Sequence, residues 1–192
     1  MWNMTMLNCA EYAIKWVTLP WERDRAYALR RRVFCQEQGL FEHDDLDDID
    51  QQARLLVALS VVAGWHDEVV GTVRIHEQRP GIWFGSRLAV DESFRRQGQL
   101  GPALIRLAVS SANAVGCREF YARVQQQNEP LFKRMHWRTL DVMLLRGVPH
   151  VLMQAELAHY PPCYDPLSGM VLAGRTRRVP LELAPSLTGA PL

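Results

Sequence analysis

The chain has 192 residues, 48% of them hydrophobic and 22% charged, which suits one domain with a sizeable core, with or without an appendage. Its formal net charge of +1 provides no global field for nucleic acid, a membrane surface or a polyanion, so a charged ligand must be held by local groups. No apolar run is long enough to span a bilayer, and Met1 to Ala10 lacks the basic-then-apolar order of a secretory signal.

Cys9, Cys35, Cys117 and Cys163 are too scattered for a metal site, so no metal is expected. They read as reduced thiols of a cytoplasmic protein.

Ala13 to Val17 is a short β-prone run closed by Pro20. Glu22 to Gln36 reads as a helix, because Ala26, Leu29 and Val33 recur at spacings of three and four. Its arginines, Arg23, Arg25, Arg30, Arg31 and Arg32, read as a solvated face. Gly39 ends it. Phe41 to Asp50 is an acidic loop, also expected to be solvated.

Leu55 to Ala63 is a continuous β-prone run and predicts a buried strand. Gly64 to Glu68 turns the chain. Val69 to His76 alternates, Pro80-Gly81 turns again, and Trp83 to Val90 predicts a third strand in the run. Pro102 to Val115 is the clearest helix, with Leu104, Leu107, Ala108, Ala112 and Val115 on one face and Gly116 after its end.

Glu119 to Val124 predicts a strand, and Asn128 caps a short helix over Glu129 to Met135. Trp137 to Leu145 and Val148 to Gln154 read as a hairpin around Arg146-Gly147. Beyond Tyr160 the chain is proline-rich and has little periodicity, so residues 160–192 read as an arm lying on the domain or on a neighbouring subunit. A run of strands followed by alternation predicts a mixed sheet with helices on its faces. Trp21, Trp83 and Trp137 read as core or groove walls.

Between the third strand of the run and the best helix lies Arg95-Arg96-Gln97-Gly98-Gln99-Leu100-Gly101-Pro102. The first amides of a helix lack internal partners, and the helix dipole adds positive potential there. Glycines admit a phosphate to the backbone, and arginines add forked donors. The segment therefore suits the diphosphate of a coenzyme. The spacing is neither a Walker A loop nor a dinucleotide fingerprint. A plain strand-to-helix turn with solvated arginines is the competing reading.

Leu88-Ala89-Val90, four further residues, then Arg95-Arg96-Gln97-Gly98 resembles the central motif of the GNAT N-acetyltransferases, Leu-x-Val-x-Pro followed by Arg-x-x-Gly-x-Gly and a helix. Leu100 occupies the second glycine slot and Gly101 comes one residue late, so the register begins at Arg95 or at Arg96. A second block is also similar: Asn128 at a helix cap, then Phe132-Lys133-Arg134-Met135-His136-Trp137 where the family has Tyr-x-Lys-x-Gly-Phe. Arg32-Val33-Phe34-Cys35-Gln36-Glu37-Gln38 resembles a stretch found in some GNAT members and in acyl-homoserine-lactone synthases. Within the superfamily, the nitrogen-starvation N-acetyltransferases offer the nearest finer match.

The resemblance covers about residues 12 to 157 and implies a domain over 1–159. It implies an α/β (α+β) fold, with a mostly antiparallel sheet of six or seven strands and helices on both faces. That sheet would be splayed between Trp83–Val90 and Glu119–Val124. It further implies acetyl-CoA as co-substrate, with pantetheine along Leu88, Ala89 and Val90. The pyrophosphate would lie on Arg95, Arg96, Gln97, Gly98, Gln99, Leu100, Gly101 and Pro102, and Asn128 and Phe132 would line the other side.

The implied reaction is acetyl transfer to a primary amine of a small molecule, with no nucleic acid or membrane partner and with room for a homodimer. Phe132 stands where the family's proton-donating tyrosine is found and cannot serve as an acid. His76, Glu77 and Glu37 are the candidates for the base, each with an ordinary surface or hydrogen-bonding role as the alternative. Two other readings stay open: an acyl-homoserine-lactone-synthase-like acyltransferase, and a non-catalytic acyl-CoA sensor or scaffold.

Overall fold

The computed structural model describes residues 11–96 and 98–174. In chain order the elements are β1 (Glu11–Trp16), α1 (Pro20–Arg31), β2 (Arg54–Val62), β3 (Trp65–Arg79), β4 (Ile82–Val90), α2 (Glu92–Arg95), α3 (Leu100–Ala114), β5 (Glu119–Gln125), α4 (Glu129–Arg134), β6 (Trp137–Leu145), β7 (Val148–Ala155) and β8 (Met170–Ala173). They form an eight-stranded sheet in the order β6-β7-β5-β4-β3-β2-β1-β8. Every described pairing is antiparallel except β4 with β5. This is the expected mixed sheet with one strand more, and the extra strand comes from the proline-rich tail.

The centre of the sheet is covered on both faces. Leu55, Val57 and Leu59 of β2 pack with Ala26 and Leu29 of α1 and with Val33. Leu56 and Ala58, pointing the other way, pack with Leu104, Leu107 and Ala108 of α3. A strand buried on both faces shows no alternation in sequence, which is why β2 reads as one continuous apolar run. The chain beyond α1 continues as a wider π-helical turn, Arg32–Glu37, rather than as α-helix to Gln36.

Residues 160–174 lie on their own domain. Asn113 Nδ2 donates to the Tyr160 carbonyl (2.7 Å), the Cys163 amide donates to the Ser110 carbonyl (2.9 Å) and the Trp16 amide donates to the Pro166 carbonyl (2.8 Å). At Gly169 the approach to β1 admits no side chain: with φ at +66°, a Cβ there would lie 1.9 Å from the Ile14 carbonyl oxygen. The rest of the arm, 175–192, lies outside the described residues, as do Cys9 and Gln97. Among the described residues no helix is long and apolar enough to cross a membrane.

The acidic loop and the arginine helix are not simply solvated, as charge runs usually are. Arg30 is fully buried; its Nε donates to Asp45 Oδ2 (2.8 Å), and Nη1 and Nη2 grip Asp50 (2.6 and 3.0 Å). Arg74 of β3 is 1% exposed and pairs with Asp47 and Asp50 (2.5 and 2.8 Å). Arg87 of β4 pairs with Asp45 and Asp47 (2.8 and 3.2 Å). Three guanidiniums from three elements thus fasten one loop against the sheet. A buried charge is tolerable only when paired and hydrogen-bonded in this way.

Burial pushes the Asp50 carboxyl up, but the Arg30 hydrogen bonds and charge outweigh it and hold the pKa at about 2. Asp47 is lowered for the same reasons, with Arg74 as its main partner. A depressed carboxylate contributes stability above its ordinary pKa and loses it as pH falls through the folded value. Asp50→Asn, which leaves Arg30 buried and short of charge, is therefore expected to cost on the order of 3–5 kcal/mol in urea unfolding at neutral pH. The difference from wild type should shrink between pH 3.8 and about 2; a pH-independent difference would assign the cost to something other than this ion pair.

Candidate active site

The parallel strands β4 and β5 pair over four residues only, from Ile82 opposite Glu119 to Gly85 opposite Ala122. Beyond that point β4 runs on to Val90 and β5 to Gln125 without pairing to each other. On its other side β4 also breaks register. Thr72 faces Ala89 and Arg74 faces Ser86, so Arg87 and Leu88 together stand opposite the single residue Val73. Arg87 carries a φ of +56°, unusual for a residue with a side chain. A bulge of this kind disrupts the ladder and re-aims the strand.

The gap between the strands holds a cavity of about 410 Å³. Ser86, Arg87 and Leu88 line one wall and Arg123, Val124 and Gln125 the other. Ile105 and Val109 of α3 close one side, and Phe132 and Trp137 stand at an end.

On the sheet face turned towards the acidic loop, His76 stands beside Phe84 and Phe84 beside Tyr121, with ring separations of 6.1 and 5.4 Å. His76 is 9% exposed and lines the cavity, and its Nδ1 is buried with no hydrogen-bond partner among the described residues. Burial, and then the positive charge of Arg74, lower its pKa below the ordinary imidazole value. The ring is therefore neutral near pH 7 and keeps a free lone pair.

The other two base candidates are engaged elsewhere. Glu77 Oε1 accepts the Gly81 amide (2.7 Å) in the β3–β4 turn, and Glu37 holds Arg95 (2.5 Å). Arg95 also donates to the Val90 carbonyl (2.8 Å), so its guanidinium is tied back to the end of β4, although Arg95 and Arg96 are both exposed. Ala89 is buried in the core and Leu88 faces the cavity. Gly98 adopts φ +68°, and the space beside it and beside Gly101 is open.

Helix α3 starts after Gln99 with no side-chain cap; Leu100 is buried and Pro102 sits in the first turn. The first amides of that helix are left to an external acceptor. Asn128, just before α4, lines the cavity, and Phe132 is buried against Trp137 with ring centroids 5.0 Å apart. The tyrosine hydroxyls nearby are committed: Tyr121 donates to Glu119 (2.7 Å), and Tyr160 donates to the Met135 carbonyl (2.5 Å) and accepts from Trp137 Nε1 (2.8 Å).

Sequence reasoning passed over two arginines of the cavity, Arg123 and Arg146. The alternation of β5, with Phe120, Ala122 and Val124 buried, signals that Arg123 faces the other way. Nothing local marks Arg146, which sits in a hairpin turn. Outside the cavity, exposed His136, Glu156 and His159 bring ligand-type atoms within 4.8 Å of one another, a grouping that wide sequence spacing conceals.

Residues 16–137 match the model of the acetyltransferase (GNAT) family. Over 149 residues the chain is 27% identical to an assigned acetyltransferase of Bacillus subtilis (strain 168), covering 74% of this chain and 95% of that one. Its fold is similar to the crystal structures of an assigned N-acetyltransferase from Lactobacillus plantarum (TM-score 0.67, 23% identity, 75% of this chain and 97% of that one) and of Escherichia coli ElaA (TM-score 0.63, 20% identity, 77% and 99%).

The Tyr160 hydroxyl links the chain after β7 to the wall of the cavity. Tyr160→Phe leaves the Trp137 N–H buried without its acceptor, and such a loss costs about 1–3 kcal/mol. A lowered denaturant midpoint at unchanged slope is the expected result; an unchanged midpoint would mean that the bond adds nothing to stability.

Proposed function

Because the chain belongs to the acetyltransferase (GNAT) family, we propose that it moves the acetyl group of acetyl-CoA onto a primary amine of a small molecule, in the cavity where β4 and β5 part. The observation that carries this reading is that the parted parallel strands, the bulge at Arg87 and Leu88 and the uncapped start of α3 are contiguous in the chain. Together they offer an extended thioester arm a slot with unpaired strand edges, and its diphosphate a helix start with open glycine backbone.

The open space beside Gly98 and Gly101 fits that occupant, and Arg96 adds an exposed positive charge. When bound, the coenzyme supplies an acyl thioester. The backbone amides of the β4 bulge are placed to polarise its carbonyl as the oxygen gains charge. His76 takes the proton of the attacking amine. The C–N bond forms, the C–S bond breaks and the sulfur departs as thiolate. Phe132 has no hydroxyl to protonate that sulfur, and the Tyr121 and Tyr160 hydroxyls are already donated. The thiolate therefore leaves without a tyrosine acid, an acceptable departure because a thiol is a good leaving group.

Acetyl-CoA at a hundred times its dissociation constant should raise stability by about 2.7 kcal/mol, read as a higher melting temperature. Arg96→Glu and Gly101→Val should abolish most of that rise while leaving the unliganded melting temperature close to wild type, since a Cβ at Gly101 meets nothing in the protein. A wild type whose melting is indifferent to acetyl-CoA would overturn the reading.

The lowered pKa of His76 fixes the sign of the pH dependence. The base must be unprotonated, so the limb of kcat/KM that His76 contributes should rise with pH and bend below the ordinary imidazole value of 6.5, apart from the further rise that the amine's own ionisation adds at higher pH. His76→Gln should lower kcat/KM on the order of 10²–10⁴-fold and remove that limb from the profile. A profile that still bends at the same pH in the variant would assign the proton to another group.

A further inference from the structure

The charges around the cavity do not cancel. Arg30, Arg74 and Arg87 are matched in number by Asp45, Asp47 and Asp50. Among the described residues Asp47 is the one carboxylate on the cavity wall, and Arg74 and Arg87 already hold it. Two more guanidiniums reach the same space, Arg123 from β5 and Arg146 from the turn between β6 and β7. Among the described residues neither meets a carboxylate.

Each instead lies over an aromatic ring: Arg123 Cζ is 5.4 Å from the centre of Phe84, and Arg146 Cζ is 4.3 Å from the centre of Phe41. Such stacking uses the face of the guanidinium and leaves its in-plane N–H groups for another acceptor. Phe84 also packs beside His76, so one ring connects the unpartnered imidazole to the unpaired arginine.

We infer that the acceptor amine carries a carboxylate, which Arg123 and Arg146 bind while His76 meets the amine. This inference rests on the acyl-transfer reading above and names the substrate class of the same site. A carboxylate matches the planar fork of a guanidinium, and desolvation by the surrounding rings strengthens the pair. On the wall of this cavity a polyamine or other purely cationic acceptor would find two positive charges and, among the described residues, no carboxylate that an arginine does not already hold. Phe41 and Phe84 offer apolar surface to the remainder of the molecule. The class is thus free α-amino acids with an apolar side chain and related amino carboxylates. In the reaction the amine nitrogen gains the acyl carbon and gives up a proton to His76, the C–S bond breaks to release the thiolate, and the carboxylate is unchanged.

The test sets the apolar amino acids against their amides, each supplied with acetyl-CoA. The amide keeps the amine and side chain and loses the negative charge. Its amine is also the less basic and more often neutral at pH 7, so intrinsic reactivity favours the amide. A preference for the acid must then come from its carboxylate. The expected result is at least tenfold higher kcat/KM for an acid than for its amide, equivalent to about 1.4 kcal/mol.

Arg123→Gln and Arg146→Gln should each raise KM for the acid and bring the acid-to-amide ratio towards one. The melting shift given by acetyl-CoA should persist in both variants. Amides used as well as acids, no acid used while acetyl-CoA still shifts the melting, or equal losses for acid and amide in the variants would overturn the inference and leave the coenzyme reading standing. Loss of the acetyl-CoA shift in either variant would assign the arginines to the coenzyme and overturn it too. A wild type without that shift overturns the coenzyme reading and this inference together.

Discussion

Four residue pairs join β4 to β5, and the rest of the site depends on where that pairing stops. Parallel neighbours normally continue their ladder, because an unpaired N–H or C=O in the interior costs about as much as a lost hydrogen bond. Here β4 and β5 do not pair past Gly85 and Ala122, and residues of α3 and the aromatic pair Phe132–Trp137 line the cavity between them. The bulge at Arg87 and Leu88 loosens β4 from β3 at the same level. A stretch of backbone between two well-paired regions is thereby left with polar edges facing a cavity, which is what an extended ligand needs in order to bind as a strand would.

The other face of the cavity is organised by charge rather than by apolar packing. Asp45, Asp47 and Asp50 come from one loop, and Arg30, Arg74 and Arg87 from a helix and two strands. Replacing buried ion pairs by apolar residues is often neutral or stabilising, so such a network is a poor source of stability in itself. Its consequence here is positional. A loop with few apolar residues is held over the sheet by directional bonds, and Phe41 and Ile49 are carried into the cavity wall with it. The network also takes up Asp47, the carboxylate of the loop that lines this cavity, and so among the described residues the cavity wall keeps arginines that meet no carboxylate.

Arg32–Asp91 and Arg95–Glu37 extend the ionic ties from the π-helical turn to the start of the candidate phosphate loop. Both pairs are partly exposed and each contributes little to stability. They tie this segment to the residues that follow β4, and Phe34 and Gln38 of the same segment line the cavity. Gln38 in turn accepts a hydrogen bond from Gln125 at the end of β5 (2.9 Å), closing the ring of contacts around the gap.

Local periodicity was enough to place most elements. The Arg146-Gly147 hairpin and the apolar face of α3 are legible from patterns of two and 3.6 residues, and β2 from its unbroken apolar run; β3, read as alternating from Val69 after a turn over Gly64 to Glu68, instead starts at Trp65 and is buried on both faces from Val69 to His76. The glycine and arginine loop ahead of α3 and the absence of a hydroxyl at position 132 are legible as features of consecutive residues; Asn128, read as a cap, does precede α4, but its side chain makes no cap hydrogen bond. Strand β8 was not: four residues among prolines are too few to show a period, and only the edge of β1 selects them.

Nor does sequence separate Arg95, turned back to Glu37, from Arg96, left exposed, or mark His76 rather than Glu77 as the group on the cavity wall. Those choices are made by neighbours far away in the chain, since a charged side chain goes wherever a partner lies. Tertiary structure alone brings Asp45, Asp47 and Asp50 to their arginines, and so decides which charges in the cavity remain free.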